Sequence, residues 1–133
     1  MRLIVCIDNK NGMLFNKRRQ SQDRVVRERI LQRTADGVLR MNAYSAKQFA
    51  GTEGILVSED FLDQAAPGDY CFVETSDVTG YADAVEQVIL YHWNRDYPRD
   101  RIFPLSLDGW TKLSSVEFAG SSHEIITEEV YQR

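Results

Sequence analysis

The carboxyl-terminal third of the chain restricts its fold more than any other segment does. Ile89 to Trp93 is an apolar run of residues that favour β-strands, and a polar turn from Arg95 to Asp100 follows it, with Pro98 inside the turn. Phe103-Pro104 ends this unit before another strand begins. This order predicts that the chain closes with β-structure.

The final segment predicts an antiparallel hairpin. Lys112 to Phe118 and His123 to Tyr131 are its strands, and Ala119-Gly120-Ser121-Ser122 supplies the turn. Before this hairpin, predicted strands alternate with predicted helices. The strands are Leu3 to Ile7, Val38 to Met41, Gly54 to Val57, Tyr70 to Val73 and Val88 to Trp93, and the helices are Gln22 to Thr34, Tyr44 to Phe49, Phe61 to Ala66 and Val78 to Val85. The pattern indicates an α/β fold with a mostly parallel sheet flanked by helices and a C-terminal antiparallel hairpin.

The composition is compatible with one domain that spans residues 1 to 133. Apolar residues make up 43% of the chain and charged residues 27%, as in ordinary globular proteins. No apolar run approaches the about 20 residues that a membrane span requires, and the apolar start from Leu3 to Ile7 is too short for a signal peptide, so we expect a cytoplasmic location. Cys6 and Cys71 lack metal-ligand spacing and are expected to be reduced core residues.

A local excess of positive charge lies early in a chain whose net charge is −4. Asn9 to Asn16 is predicted as a turn that leads into a loop. The segment from Lys17 to Arg33 contains only two acids, Asp23 and Glu28. Its seven basic residues are Lys17, Arg18, Arg19, Arg24, Arg27, Arg29 and Arg33. Ser21 is the predicted cap of the first helix, and the free N–H groups of a helix start attract anions.

The basic loop, defined as Lys17, Arg18, Arg19, Gln20 and Ser21, is therefore a candidate site for a phosphate or carboxylate. The alternative is a solvated loop and helix face that balances acids elsewhere.

Tyr91, His92 and Trp93 are candidates for ligand contacts on a neighbouring strand. Because alternate strand residues point to opposite faces, Tyr91 and Trp93 share one face and His92 lies on the other. These side chains could stack on a ligand or supply a proton. The alternative is that the aromatic residues are ordinary core and that His92 has a structural partner or is exposed.

Three stretches resemble dihydrofolate reductases in their order and spacing. The first is Leu3-Ile4-Val5-Cys6-Ile7-Asp8 followed by Asn11-Gly12-Met13, where that family has an apolar strand and an active-site loop. The second runs from Thr34 to Phe49 and matches the second strand and the start of the phosphate-binding helix. The third runs from Ile89 to Tyr131. The resemblance implies a dihydrofolate reductase-like fold over most of the chain.

The same resemblance implies that the catalytic residues of the reductase are absent. In that family, an Asp or Glu early on the first helix hydrogen-bonds the pterin ring and assists its protonation. Counting back from Thr34 without gaps places Val26 at that position. Asp23 lies three residues earlier on the same helix face and is the candidate for a displaced acid; alternatively, it only stabilises the helix start. Arg18-Arg19-Gln20-Ser21 replaces the Leu-Pro-Trp active-site loop of the family.

The cofactor residues of the family also have no match. That family holds the phosphates of NADPH with an Arg and a Thr after the second strand and with a glycine pair that opens a later helix. Asn42, Ala43 and Ser45 stand at the first place, so only the Ser45 hydroxyl remains. Glu74-Thr75-Ser76-Asp77 stands at the second, and its carboxylates would repel a pyrophosphate. We therefore expect no cofactor.

Other catalytic classes lack their sequence signatures. His92 and His123 form no HxHxDH or HExxH pattern, no GxSxG, P-loop or CxxC sequence is present, and we expect no metal site. The sequence predicts a protein that is not a functional reductase and binds a small anionic or nucleotide-like ligand in the cleft between the Arg18-Arg19-Gln20-Ser21 loop and the ends of the first, second and fifth strands. The predicted ligand-binding residues are Lys17, Arg18, Arg19, Gln20, Ser21, Ser45, Tyr91 and Trp93. The alternatives are a divergent NADPH-dependent reductase of a pteridine-like substrate and an RNA-associated protein that uses the basic loop.

Overall fold

Ten strands and three α-helices form the fold in the computed structural model, which describes all residues from 1 to 133. The strands are β1 (Arg2–Ile7), β2 (Gly12–Phe15), β3 (Arg18–Arg19), β4 (Leu39–Met41), β5 (Leu56–Val57), β6 (Tyr70–Phe72), β7 (Gln87–His92), β8 (Arg101–Ile102), β9 (Thr111–Phe118) and β10 (Ile126–Gln132). The α-helices are α1 (Arg24–Arg33), α2 (Ala43–Ala46) and α3 (Phe61–Gln64), and two 3-10 helices cover Lys47–Phe49 and Thr79–Ala84. None of these helices combines the length and the apolar character that crossing a membrane requires.

Seven strands form the main sheet in the order β5-β4-β6-β1-β7-β10-β9. The first five strands in this order run parallel, whereas β10 runs antiparallel to both β7 and β9. The predicted α/β class, the mostly parallel sheet and the closing hairpin are therefore confirmed. β1 lies at the centre because its apolar run covers both faces, as a strand that is buried on both sides requires.

The closing hairpin differs from the prediction at its turn. β10 begins at Ile126 instead of His123, so residues 119 to 125 connect the two strands in place of the predicted tight turn. His123 leaves the sheet because its buried ring contacts the carboxylate of Asp23 at the start of α1. A loop that docks on the helix start thus joins β9 to β10.

A second sheet contains part of the segment that the sequence predicts as turn and loop. β2 pairs with β3 and β8, so the predicted turn and loop from Asn9 to Asn16 is wrong over the length of β2. Asn16 and Lys17 form the two-residue turn between β2 and β3, with φ angles of 52° and 62°. A type I′ hairpin turn needs positive φ at both central residues, and asparagine tolerates that conformation. The basic loop is therefore partly a β-hairpin with Lys17 at its tip.

The start of α1 also differs from the prediction. Asp23 caps the helix, and the prediction that Ser21 caps it is wrong. The Asp23 carboxylate accepts hydrogen bonds from the backbone N–H groups of Val25 at 2.9 Å and Val26 at 3.4 Å. Ser and Asp are comparable caps, so context decides between them. The Ser21 hydroxyl contacts His123 instead, which leaves the helix start to Asp23.

Two apolar clusters cover the two faces of the main sheet. Leu3 and Val5 of β1 lie in one cluster, and Ile4 lies in the other, which packs beneath α1. Cys71 belongs to the first cluster and Cys6 packs against the second, and both are free thiols. The strand alternation of β1 therefore produces two layers, and the α1 layer supports the cleft at the end of the parallel strands.

Candidate functional site

The candidate site lies where the parallel strands of the main sheet approach the β2–β3 hairpin and the start of α1. Cys6 of β1, Asp23, Glu74 after β6 and Trp93 after β7 line a cleft at this edge. Side chains fill the cleft and leave a cavity of only about 10 Å³. This volume is at the lower limit for one water molecule, so the cleft in this conformation has no space for an organic ligand.

Glu74 is the centre of a buried polar network in the cleft. Its carboxylate accepts hydrogen bonds from Arg19 Nε at 2.9 Å, from Ser45 Oγ at 2.8 Å and from Gln48 Nε2 at 2.7 Å. The guanidinium of Arg19 also stacks on the ring of Tyr44, 4.2 Å from its centroid. The positive charge of Arg19 is therefore balanced within the protein, and the Ser45 hydroxyl already has an acceptor.

Asp23 is fully enclosed by hydrogen-bond donors. Besides the two amides at the start of α1, its oxygens accept from the backbone N–H groups of Ser121 at 3.0 Å and Ser122 at 2.8 Å, and from His123 Nδ1 at 3.0 Å. Burial alone would raise the pKa of Asp23, but the hydrogen bonds from His123 and the loop amides outweigh burial and lower that pKa. The carboxylate is therefore ionised and joins α1 to the β9–β10 loop.

His123 connects Asp23 to a serine and a tyrosine. Because the Asp23 carboxylate fixes the proton on Nδ1, the other ring nitrogen, Nε2, is an acceptor. It lies 3.1 Å from Ser21 Oγ and 2.9 Å from the Tyr97 hydroxyl. The ring stacks on Trp93, with centroids 4.6 Å apart and an angle of 20° between the planes. The arrangement is a Ser–His–Asp chain of hydrogen bonds.

No local sequence signal points to this chain of hydrogen bonds. Ser21 and Asp23 are two residues apart, but His123 follows Asp23 by 100 positions. The sequence predicts His123 as the first residue of the closing strand and gives it no catalytic role. Only the fold, which docks the β9–β10 loop on the start of α1, brings the three side chains together.

An open groove lies next to this chain, between the β2–β3 hairpin and the Tyr97-Pro98 segment. Its volume is about 300 Å³, and its lining residues are Phe15, Asn16, Arg18, Arg19, Gln20, Tyr97 and Pro98. Phe15 and Arg18 are exposed and stand opposite each other in the hairpin. Arg18 makes no ion pair or side-chain hydrogen bond, in contrast to Arg19. The groove therefore combines an unpaired cation with aromatic side chains.

Tyr91 lies apart from this groove, on the face of the sheet that α1 covers. Its hydroxyl donates a hydrogen bond to Glu128 at 2.6 Å, and Arg33 donates to the same carboxylate at 2.6 Å. Burial and the Glu128 carboxylate raise the pKa of Tyr91. Tyr91 and Trp93 share the α1 face and His92 faces the other way, as predicted, but only Trp93 reaches the cleft.

The donors at the start of α2 are occupied by neighbouring side chains. The Ala43 N–H donates to Glu59 Oε2 at 3.0 Å, and the Ser45 N–H donates to Asn42 Oδ1 at 3.0 Å. No group of three or more His, Cys, Asp or Glu side chains is placed to hold a metal ion. The start of α2 therefore offers few free donors to a phosphate.

Comparison with solved structures identifies the fold. Dihydrofolate reductase from Enterococcus faecalis, complexed with NADP(H) and RAB-propyl, superimposes with a TM-score of 0.70 at 13% sequence identity. The match covers 99% of this chain and 95% of that enzyme. No protein-family model and no curated protein sequence matches this chain. The protein therefore has a dihydrofolate reductase-like fold.

Proposed function

We propose that this protein binds a small anionic, nucleotide-like ligand in the groove between the β2–β3 hairpin and Tyr97-Pro98, and that it does not reduce a pteridine. The observation that carries the proposal is the unpaired guanidinium of Arg18 in a groove of about 300 Å³. A planar guanidinium binds phosphate or carboxylate oxygens through two parallel hydrogen bonds. Lys17 at the adjacent tip adds a second exposed positive charge.

The aromatic side chains of the groove support a ligand that also contains a ring. Phe15 is 47% exposed, so its ring is accessible from the groove. Tyr97 lies across the groove and is half-buried. An aromatic face stacks on a planar ring, while Arg18 binds the attached anion. This combination favours a nucleotide-like ligand over an inorganic anion alone.

The residues of the cleft do not fit NADPH or a pteridine. Glu74 lies two residues after β6, where the resemblance implies glycines, and its side chain with the bonded side chains of Arg19 and Gln48 fills the space that a pyrophosphate would need. The Ala43 and Ser45 amides already have side-chain acceptors. Val26, at the position of the family's acid, cannot protonate a pteridine, and the cavity of about 10 Å³ is too small to hold one. We therefore infer that no cofactor takes part.

A divergent NADPH-dependent reductase is the second candidate. It is favoured by the fold, since a similar structure is an NADP(H) complex of dihydrofolate reductase, and by the position of Asp23 in the cleft. The five hydrogen bonds to Asp23 argue against it, because an acid that donates a proton to a substrate must be free to face that substrate.

Thermal unfolding with AMP, inorganic phosphate and a short RNA tests the proposal. AMP is expected to raise the melting temperature of the unmodified protein. At an AMP concentration a hundred times its Kd, binding raises the free energy of unfolding by about 2.7 kcal/mol. Arg18→Ala is expected to lose this shift. Arg24→Ala is the matched control, because Arg24 is an exposed arginine outside the groove that pairs with Glu28. Absence of any AMP shift, or an equal shift in Arg18→Ala, would overturn the proposal, and stabilisation by RNA alone would favour the RNA-associated alternative.

A further inference from the structure

We propose that Ser21, His123 and Asp23 form a nucleophile, general base and positioning residue that transfer acyl groups from small carboxylic esters. The two hydrogen bonds of the chain, 3.1 Å from Ser21 Oγ to His123 Nε2 and 3.0 Å from His123 Nδ1 to Asp23 Oδ2, have the lengths that such triads show. The proposal is independent of the ligand in the Arg18 groove.

The arrangement fixes the protonation state that a general base needs. Asp23 is completely buried as a side chain and accepts the Nδ1 proton, so Nε2 is the acceptor that faces the hydroxyls of Ser21 and Tyr97. Stacking on Trp93 and burial to 4% exposure hold the imidazole ring in place. The hydrogen bond to Asp23 and the stacking on Trp93 therefore orient the imidazole before a substrate arrives.

Ser21 has the placement of a nucleophile rather than that of a structural hydroxyl. The residue is half-buried, and the capping role that its sequence position suggests is performed by Asp23. Ser21 lines the narrow cleft, and its Oγ accepts a hydrogen bond at 3.3 Å from the hydroxyl of Tyr97. Because Tyr97 and Gln20 both line the open groove, the groove adjoins Ser21.

The backbone beside Ser21 offers donors for the developing oxyanion. The N–H groups of Ser21 and Gln22 donate to no acceptor of the protein. An amide directly after the nucleophile is a common oxyanion donor in acyl transfer. The neighbouring thiol does not compete as nucleophile, because burial and the nearby Glu74 raise the pKa of Cys6 well above its usual value.

The reaction balances without a co-reactant other than water. Ser21 Oγ forms a bond to the ester carbonyl carbon while its proton moves to His123 Nε2. The tetrahedral intermediate then expels the alkoxide, which takes that proton and leaves as the alcohol. Water, deprotonated by Nε2, attacks the acyl-serine and releases the carboxylic acid and free Ser21.

Labelling with a fluorophosphonate probe tests the proposal, because Ser Oγ displaces fluoride and retains the phosphonyl group. We expect stoichiometric labelling of the full chain, located at Ser21 by peptide mass spectrometry, and none in Ser21→Ala. Ser115→Ala on the exposed strand β9 is the control and should label normally. His123→Gln should lower the labelling rate by at least about a hundredfold. No labelling of the unmodified protein, or equal labelling of Ser21→Ala, would overturn the proposal.

A second measurement separates positioning by Asp23 from a purely structural role. Labelling of Asp23→Asn is measured at a temperature where both proteins are fully folded, and proton NMR follows the Nδ1 proton of His123. The proposal predicts a labelling rate at least about a hundredfold lower per folded molecule and loss of a downfield Nδ1 resonance. An unchanged rate would show that the chain of hydrogen bonds serves the fold alone.

Discussion

Replacement of the Asp23 carboxylate by an amide is expected to destabilise the protein strongly. Each of the five contacts to Asp23 comes from a donor, so the NH₂ group that Asp23→Asn introduces must face donors in either orientation. The better orientation keeps the helix cap and turns the amide towards the Ser122 N–H and His123 Nδ1.

The cost follows from these two contacts. A hydrogen bond to a charged group contributes about 1.5–3 kcal/mol, so loss of both lowers the free energy of unfolding by about 3–6 kcal/mol. If the His123 ring changes tautomer, its Nδ1 accepts a hydrogen bond from the new amide and only the bond from the Ser122 N–H is lost. The free energy of unfolding then falls by about 1.5–3 kcal/mol. For a chain of this length, the full loss corresponds to a fall in melting temperature of about 10–20 °C.

Urea unfolding at neutral and acidic pH measures this effect. The folded-state pKa of Asp23 is lowered, so its contribution is complete above the ordinary Asp pKa of about 4 and is lost as the pH falls towards the lower folded-state value. The gap between the unmodified protein and Asp23→Asn should therefore narrow below about pH 4. Asp60→Asn is the matched control, because Asp60 precedes α3 without any side-chain cap bond and should change stability by less than about 0.5 kcal/mol. A loss below about 1 kcal/mol in Asp23→Asn, or a gap that does not depend on pH, would refute this reasoning.

The remaining predictions concern the hairpin and its supports. Arg19→Ala should lower the free energy of unfolding by about 3–5 kcal/mol in urea titrations, because it leaves the buried Glu74 carboxylate without its cation. Arg18→Ala should change it by less than about 0.5 kcal/mol, so equal losses in the two variants would contradict the assignment of Arg18 as the free cation. Gly12→Ala should cost about 1–3 kcal/mol, because its Cβ would lie 2.6 Å from Asp8 Oδ2, and an unchanged unfolding midpoint would contradict the close packing at this position.

Local patterns were sufficient for the strands but not for the hairpin turn and the helix cap. The apolar runs of β1, β6 and β7 predict the centre of the sheet, because burial on two faces leaves a continuous apolar sequence. Asn16-Lys17 lacks the glycine that marks most two-residue turns, so the β2–β3 hairpin was missed. Ser21 and Asp23 are both good caps, and only the contact with His123 distinguishes them.

The candidate site depended on contacts between residues far apart in the sequence. Arg18 and Arg19 are neighbours with identical side chains, yet only Arg19 meets Glu74, which lies 55 positions away from it. His123 approaches Ser21 across 102 positions. The sequence located the positive charge correctly in the basic loop, but it could not determine which arginine is paired or that a histidine completes a chain with serine and aspartate.

Isothermal titration of the intact protein with NADPH tests most directly whether this dihydrofolate reductase-like fold functions without the reductase cofactor. The Glu74 side chain with its bonded partners after β6, and the occupied amides at the start of α2, predict no saturable binding at millimolar NADPH. Saturable binding with a low micromolar Kd would contradict this conclusion and favour the divergent reductase.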